Sequence, residues 1–425
     1  MSKQTYQTPR GTKDILPADQ PYWKFVLSTA EKTFEGIGFN QITLPHFENA
    51  EIYTRGIGEE TDIVQKEMFT LEKKTSDEPQ FVLRPEGTAG LVRSFIQNGM
   101  SSWAQPVRLY YSGAMFRRER PQKGRYREFY QIGAEIFGDE TVKADYLIIM
   151  AAWELLNRLG IKNLVVYANS IGCSKCRPKY IAKLKKFYKE KSNEICNDCK
   201  NRLEKNPLRL LDCKEDKCKA IALQAPNILD SICSECKDHF QETLEYLDYF
   251  NIKYDLDPLL VRGLDYYTNT VFEIVEKDDR GRQSTLLAGG RYNNLVELLN
   301  GPSTPAVGFA LGVERIVNLL KEQNIIPPKP RGVEICIVQL GEKAKEVSKE
   351  IYDGLSSQDV NVYFVPSNDS LRQQIKTASK LGAKYAAIIG QQEALKDEII
   401  LRDLENSSQE IFPTKVLVKE IQKRL

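Results

Sequence analysis

FRRERPQKGRYREFYQIGAEIFG, residues 116–138, decides how this chain is read. Arg117, Arg118, Arg120, Lys123, Arg125 and Arg127 crowd a turn between two strand-like runs, VRLYYSGAMF and YREFYQIGAEIF. The pattern is that of an antiparallel hairpin with a basic turn. Side chains alternate along a strand, so Phe129, Gln131 and Glu135 share one face. Tyr130, Ile132, Ala134 and Ile136 share the other, which suits a core. An aromatic ring, an amide and a carboxylate beside clustered arginines fit a polar ligand that carries phosphates, because the guanidinium fork binds phosphate oxygens bidentately. A solvated basic loop tip is the plain alternative.

Working outward, the 425 residues allow two or three domains. Apolar residues make up 41% and charged residues 28%, as in ordinary globular proteins. No apolar run approaches the roughly 20 residues that span a bilayer, and MSKQTYQTPRGTKD lacks the apolar core of a signal peptide. A cytoplasmic protein is expected. The net charge of +2 argues against a general polyanion binder. Residues 173–236 nevertheless carry 15 Lys/Arg against 9 Asp/Glu, a basic surface that could meet a nucleic-acid backbone or only solvent.

Residues 18–38 read as a helix with Trp23, Val26, Leu27, Ala30 and Phe34 at helical spacing. QITLP reads as a strand, FVLR as a strand leading into a helix near Glu86, and 143–159 as a long helix. KYDLDP and YYTNTVFEIVE give strand signals. LLAGGRYNNL reads as a Gly-rich turn, and AVGFALGVERIVNLL passes from strand to helix. IIPPKPRG (325–332) is a stiff linker. Beyond it strands alternate with amphipathic helices, an α/β unit with a mostly parallel sheet and no Gly-rich phosphate loop.

Four further segments bring chemistry. RPEGT (84–88) sets Glu86 and Thr88 at a helix start, where both could simply cap it. RGLDYYTNTVFEI (262–274) places Arg262 ahead of Tyr266 and Tyr267. Adjacent strand residues point oppositely, so one tyrosine is expected in the core and one at a ligand. AGGRYNNL (288–295) allows close backbone approach at its Gly pair, and VGFALGVERI (307–316) carries Arg315 on a helix, with a structural salt bridge as its plain alternative. Only His46 and His239 occur, no nucleophile–histidine system is evident, and no P-loop motif is present. An enzyme built this way would act by positioning and by cationic stabilisation of phosphate charge, as in-line displacement at phosphorus requires.

These motifs, in this order, resemble those of the class II aminoacyl-tRNA synthetases and specifically the histidyl-tRNA synthetase family. The likeness runs through TPRGTKDILP (8–17), GFNQITLP to GIGEETDIVQKEM, RPEGT, the hairpin, RGLDYYTNTVFE, AGGRY and VGFALGVERI. It implies an α+β catalytic domain with an antiparallel sheet flanked by helices over 1–170 and 241–325. It further implies a mostly helical Cys-rich insertion (171–240), a linker (326–332) and a C-terminal α/β anticodon-binding domain (333–425). The implied reaction joins histidine to ATP as histidyl-adenylate, releasing pyrophosphate, then passes histidine to the 3′ end of tRNA(His). ATP would act with Mg2+. Arg117 would bind the α-phosphate, Glu119 the adenine edge and Phe129 the adenine face. Arg125 and Arg315 would hold the terminal phosphates, and Arg262 would offset charge at the α-phosphate.

By the same resemblance Glu86, Thr88 and Gln131 would hold the histidine α-amino group, while Glu135 and Tyr267, beside Tyr266, grip the imidazole. Arg120 and Gln122 would approach the tRNA acceptor end, and the run ending at Pro45 would form a homodimer interface. Arg118, Lys123 and Arg127 receive no role. Two departures stand out: Tyr130, where relatives often carry histidine, and Asn293, where an acidic residue is usual. A catalytically inactive regulatory subunit of histidine biosynthesis is the alternative, and such proteins typically lack the anticodon-binding domain.

The cysteines stand apart from the resemblance. Eight of the nine lie in the insertion as Cys173-x2-Cys176, Cys196-x2-Cys199, Cys213-x4-Cys218 and Cys233-x2-Cys236, with Cys336 alone in a C-terminal strand. Such pairs in a reducing compartment suit two tetrahedral structural Zn2+ sites, though spacing does not say which pairs share an ion. Eight free thiols are the other reading. Lys183, Lys185 and Lys186 are candidates for a tRNA-clamping surface.

Overall fold

The computed structural model describes residues 6–59, 61–121, 124–277, 285–329, 331–364 and 370–425. The chain divides into two compact units, Met1–Pro327 and Pro328–Leu425. The first is organised by an eight-stranded sheet with Val107–Phe116 and Glu128–Phe137 as its longest strands. These two pair antiparallel over their whole length, Phe116 opposite Glu128 and Val107 opposite Phe137, so the expected hairpin is present. Ala306–Gly312, Thr285–Arg291, Thr268–Glu276 and Leu164–Ser170 follow in space, all antiparallel. Short strands Asn40–Gln41 and Tyr254–Leu256 close the two edges in parallel register.

Alternation along the strands separates two cores. On one face Ile132, Ala134, Ile136, Phe272 and Phe309 pack under helices Gln20–Gly36, Val142–Arg158 and Val313–Glu322. Trp23, Val26, Ala30 and Phe34 are the buried positions of the first helix, as its spacing predicts. Tyr130 joins this face edge-on to Trp23, with ring centroids 5.6 Å apart. The opposite face carries Tyr111, Met115, Phe137 and Val271, and its apolar cluster runs on into Tyr180, Leu184, Tyr188 and Leu210 of the insert. Residues 171–240 thus share the core of the site-bearing face.

Two sequence readings change. QITLP forms no regular strand: pairing stops after Gln41, although Ile42 N–H still donates to Tyr110 C=O at 2.9 Å. LLAGGR is a central strand, Thr285–Arg291, and not a turn. Its glycines answer crowding inside the sheet, since a Cβ on Gly289 would lie 2.3 Å from the Gly308 carbonyl oxygen. The second unit carries a five-stranded sheet in which Val362–Phe364, Ile335–Gln339 and Tyr385–Ile389 run parallel. Glu398–Asp403 and Gln409–Pro413 pair antiparallel, so this sheet is mixed and not mostly parallel. The extra Gln409–Pro413 strand is largely exposed and lacks the apolar signal by which strands are read.

One buried ion network ties the layers of the first unit together. Arg291 is 1% exposed and Asp145 fully buried. The Arg291 Nε donates to Asp145 Oδ2 at 2.9 Å, and its two Nη groups reach the carbonyls of Asp139 and Thr141, both at 2.9 Å. His239 Nε2 lies 3.0 Å from the same carboxylate. Burial alone would raise the Asp145 pKa, but Arg291 and His239 outweigh it and hold the carboxyl below its usual range. His239 is therefore a structural histidine, and His46 is exposed beside Phe116. Asp145→Ala strands a buried guanidinium and is expected to cost about 3–5 kcal/mol, read as a lower urea midpoint by tryptophan fluorescence.

Candidate active site

The site grows from the face of Glu128–Phe137 that carries Phe129, Gln131 and Glu135. Glu135 is 1% exposed, with the backbone of Gly308 directly opposite in the neighbouring strand. A Cβ at Gly308 would sit 1.4 Å from Glu135 Oε2, so only glycine leaves room for the carboxylate. Thr88 Oγ1 donates to Glu135 Oε1 at 2.8 Å and Tyr292 OH donates to Oε2 at 2.6 Å. Burial pushes the Glu135 pKa up to about 8 even though both hydroxyls favour its charged form.

RPEGT supplies the next wall. Helix Thr88–Gln97 begins there, and the buried Glu86 carboxylate accepts the Thr88 and Ala89 N–H groups at 2.7 and 2.9 Å. Glu86 therefore caps the helix, while the Thr88 side chain turns away to Glu135. Burial raises the Glu86 pKa against these bonds. Behind it Arg84 is buried and holds the chain together, donating Nε to Ala114 C=O at 2.8 Å and Nη1 to Leu44 C=O at 2.7 Å. The Gln131 Oε1 is buried with no hydrogen-bond partner among the described residues.

Tyr266 and Tyr267 do not diverge. Both are buried, 5% and 6% exposed, with ring centroids 4.6 Å apart, and Tyr266 lies 5.5 Å from the Tyr292 ring. The reason is local: the regular strand starts only at Thr268, so alternation does not apply to the pair. Arg262 lies over the Tyr267 ring at 5.6 Å and pairs with the Glu273 carboxylate, which also accepts from Thr285 Oγ1 at 2.9 Å.

The arginine end is continuous with this pocket along the strand. Arg117 Nε donates to Pro85 C=O at 2.8 Å, and its guanidinium covers the Phe129 ring at 5.2 Å. Glu119 sits between Arg117, at 3.7 Å, and Arg125, at 3.2 Å. Arg315 donates to Thr285 C=O, and burial together with the Arg125 charge lowers its pKa. A cavity of about 610 Å³ opens beside Glu273 and Thr285, roofed by Pro226 and Asn227 of the insert.

Arg120 is exposed on the turn. Gln122 and Lys123 lie outside the described residues. Arg118 covers Phe69 at 5.9 Å, and Arg127 anchors the N-terminal segment through Arg10 C=O at 3.3 Å. Four important side chains were not singled out from sequence: Tyr292, Glu273, Glu314 and Arg84. All four lie inside quoted motifs, and for Glu273 a glutamate amid the apolar VFEIVE run was the available signal. Glu314 accepts the Tyr130 N–H with both oxygens, at 3.0 and 3.1 Å, and burial raises its pKa to about 7. Asn293 also finds its place, accepting from Ala306 N–H at 3.3 Å and Arg291 Nη1 at 3.4 Å.

In the insert the eight cysteines gather into two sets, Cys173, Cys176, Cys233 and Cys236, and Cys196, Cys199, Cys213 and Cys218. All sulfurs of a set lie within 4.8 Å of one another. Cys336 is buried in its strand.

Comparison with known proteins points to one family. The family model for histidyl-tRNA synthetase matches residues 11–316, and that for an anticodon binding domain matches 334–424. A Histidine--tRNA ligase of Dehalococcoides mccartyi is 42% identical over 420 residues, 99% of this chain and all of the relative. One of Caldanaerobacter subterraneus is 42% identical over 419 residues, 99% of each. The crystal structure of apo Staphylococcus aureus histidyl-tRNA synthetase superposes with a TM-score of 0.82 at 32% identity, covering 98% of this chain and 100% of that one. The regulatory-subunit alternative finds no support in these relatives. With a catalytic sheet that buries Glu135 under Thr88 and Tyr292, and with full-length likeness to such ligases, the chain belongs to the histidyl-tRNA synthetase family.

Proposed function

We infer that this chain, an ATP-dependent aminoacyl-tRNA ligase, activates L-histidine and transfers it to tRNA(His). The observation that carries the amino-acid assignment is the Glu135 carboxylate, fixed by two hydroxyls at the back of a tyrosine-lined pocket. Glu135 and Tyr267 hold the two imidazole nitrogens, with Tyr266 packing beside them. Glu86, Thr88 and Gln131 receive the α-amino group, and the unpartnered Gln131 Oε1 supports this. A pocket whose buried polar groups need partners rejects apolar isosteres of histidine strongly.

ATP enters as its magnesium complex. Glu119 meets the adenine edge, Phe129 stacks on the ring, and Arg125 and Arg315 take the terminal phosphates. A histidine carboxylate oxygen attacks the α-phosphorus, the P–O bond to the β-phosphate breaks, and pyrophosphate leaves. Arg117 and Arg262 stabilise the charge on the α-phosphate as that bond breaks. The tRNA 3′-terminal ribose hydroxyl then attacks the histidyl carbonyl and expels AMP. Neither step needs a protein nucleophile.

Arg120 and Gln122 approach the acceptor end, and residues 333–425 bind the anticodon. The catalytic part comprises residues 1–170 and 241–325, with the insertion at 171–240 and the linker at 326–332. The run ending at Pro45 joins two copies in a homodimer. No helix of the described residues is long and apolar enough to cross a membrane, and a cytoplasmic location accords with the ligase reaction. The insert cysteines hold structural zinc, a set of four sulfurs within mutual reach being the usual donor set for that ion.

Histidine-dependent exchange of labelled pyrophosphate into ATP tests the function, and histidine binding without exchange would reject it. Arg262→Ala should lower the exchange rate at least a hundredfold while histidine affinity changes less than threefold. Glu135 titrates near pH 8 in the free pocket, so below that pH it is protonated and must release a proton to accept the imidazole N–H. Histidine affinity should therefore rise with pH toward 8, by up to about tenfold per unit. Calorimetry in buffers of different ionisation heat should detect the released proton, and Glu135→Gln should abolish the slope. On the insert, Lys183 Nζ bonds Ser231 Oγ at 3.1 Å and Lys185 Nζ bonds Glu204 C=O at 3.0 Å. Lys186 is exposed, so Lys186→Glu is the cleaner probe: tRNA affinity should fall with pyrophosphate exchange unchanged.

A further inference from the structure

The two cysteine sets are nested, not interleaved. The first and last pairs of the insert make the outer set, and the two middle pairs make the inner one. Cys176 and Cys233 immediately precede helices Arg177–Glu190 and Ser234–Tyr249, so the outer set joins both ends of the insert. Tetrahedral zinc with Zn–S near 2.3 Å places its sulfurs about 3.8 Å apart. The sulfur–sulfur separations are 3.7 Å for Cys173–Cys176, 3.9 Å for Cys173–Cys233, 3.9 Å for Cys176–Cys236 and 3.8 Å for Cys196–Cys213.

What surrounds the two sets differs. Both sets draw N–H donors from themselves: in the inner one Cys196 N–H reaches Cys218 Sγ at 3.3 Å and Cys199 N–H reaches Cys196 Sγ at 3.4 Å, and in the outer one Cys173 N–H reaches Cys176 Sγ at 3.3 Å. The outer set is bonded to the histidine pocket. Asn269, two residues after Tyr267, donates Nδ2 to Cys236 Sγ at 3.4 Å from a left-handed backbone (φ 47°). Its N–H bonds Gly172 C=O at 3.0 Å, and its own carbonyl accepts Ile171 N–H at 2.8 Å. Arg177, the residue after Cys176, donates Nη2 to Tyr267 C=O at 2.7 Å and to Gly172 C=O at 3.0 Å, and Nε to Ile171 C=O at 3.1 Å. Gly172 itself has φ 67°, and a Cβ there would lie 2.7 Å from Cys176 Sγ.

We propose that the outer cysteine set is a zinc anchor for the histidine pocket, holding the Tyr266–Tyr267 segment in place through Arg177 and Asn269. The inner ion holds the body of the insert. Donors just outside the ligands commonly fix a metal site's geometry; here one such donor, Asn269, lies on the strand Thr268–Glu276 that follows the pocket tyrosines, and Arg177, next to ligand Cys176, bonds the Tyr267 carbonyl, so rigidity passes from ion to pocket. Arg177 and Asn269 are positioning residues, acting through Tyr267. The inference rests on the zinc reading and on the assignment of Tyr266 and Tyr267 to histidine.

The test uses the full-length chain, with zinc counted by elemental analysis and KM values taken from pyrophosphate exchange. The wild type should carry two zinc ions, one per set. Cys236→Ser and Cys213→Ser should each lose one ion, and the outer variant should raise the histidine KM at least tenfold more than the inner one, with the ATP KM moving less than threefold. Arg177→Met keeps every sulfur, so it should retain both ions and still raise the histidine KM about tenfold, which a role in folding alone would not produce. A wild type without zinc would overturn the zinc reading and this proposal with it. Zinc present, with the histidine KM unmoved in both Cys236→Ser and Arg177→Met, would overturn the anchor alone.

Discussion

Burying the Glu135 carboxylate is the constraint on which the first unit depends. A carboxylate taken out of water costs several kcal/mol unless donors meet it. Those donors arrive from distant stretches: Thr88 from the last position of RPEGT, where a helix starts, and Tyr292 from just past a central strand. Room for it comes from a third stretch, the bare backbone at Gly308. The strand order that places Ala306–Gly312 beside Glu128–Phe137 is what lets all three meet. Even so the group stays partly frustrated, its pKa raised to about 8, and a ligand that donates a hydrogen bond completes the set.

Much of this was legible from local pattern. The hairpin and its two faces follow from period two, and the structure sorts Ile132, Ala134 and Ile136 to one core and Phe129 to the other. What pattern missed depends on contacts across the sheet. AGGR reads as a turn because glycine punctuates turns, yet here glycine relieves crowding between three strands. Tyr266 and Tyr267 read as diverging because a strand was extended two residues too far. Tyr292 and Glu273 are ordinary in sequence and become informative only when Glu135 and Arg262 come within reach. Sequence gave the eight cysteines but not their pairing, because a ligand set is defined by how helices fold back and not by spacing.

The charges divide by surroundings as well as by position. Arg291 and Arg84 are structural: all three nitrogens of Arg291 meet fixed acceptors, and Arg84 ties three backbone carbonyls together in the interior. At the pocket Arg117 is held by the Pro85 carbonyl and Glu119, Arg125 by Glu119 and Arg262 by Glu273, and the Arg262 Nε has no partner among the described residues. A run of arginines in a sequence does not announce this distinction. It follows from how many acceptors the fold aims at each guanidinium.

The nested cysteine order has a consequence for folding kinetics. Leu164–Ser170 and Thr268–Glu276 are antiparallel neighbours in the sheet, Ser170 opposite Thr270, yet the whole insert separates them along the chain. Loop-closure entropy charges for that separation before the strands gain anything by pairing. An ion bound at the outer set would join Cys173 to Cys236, bypass the chain between them and lower the effective contact order of the sheet. Metal supply would then set the rate at which this enzyme matures as well as the shape of its pocket.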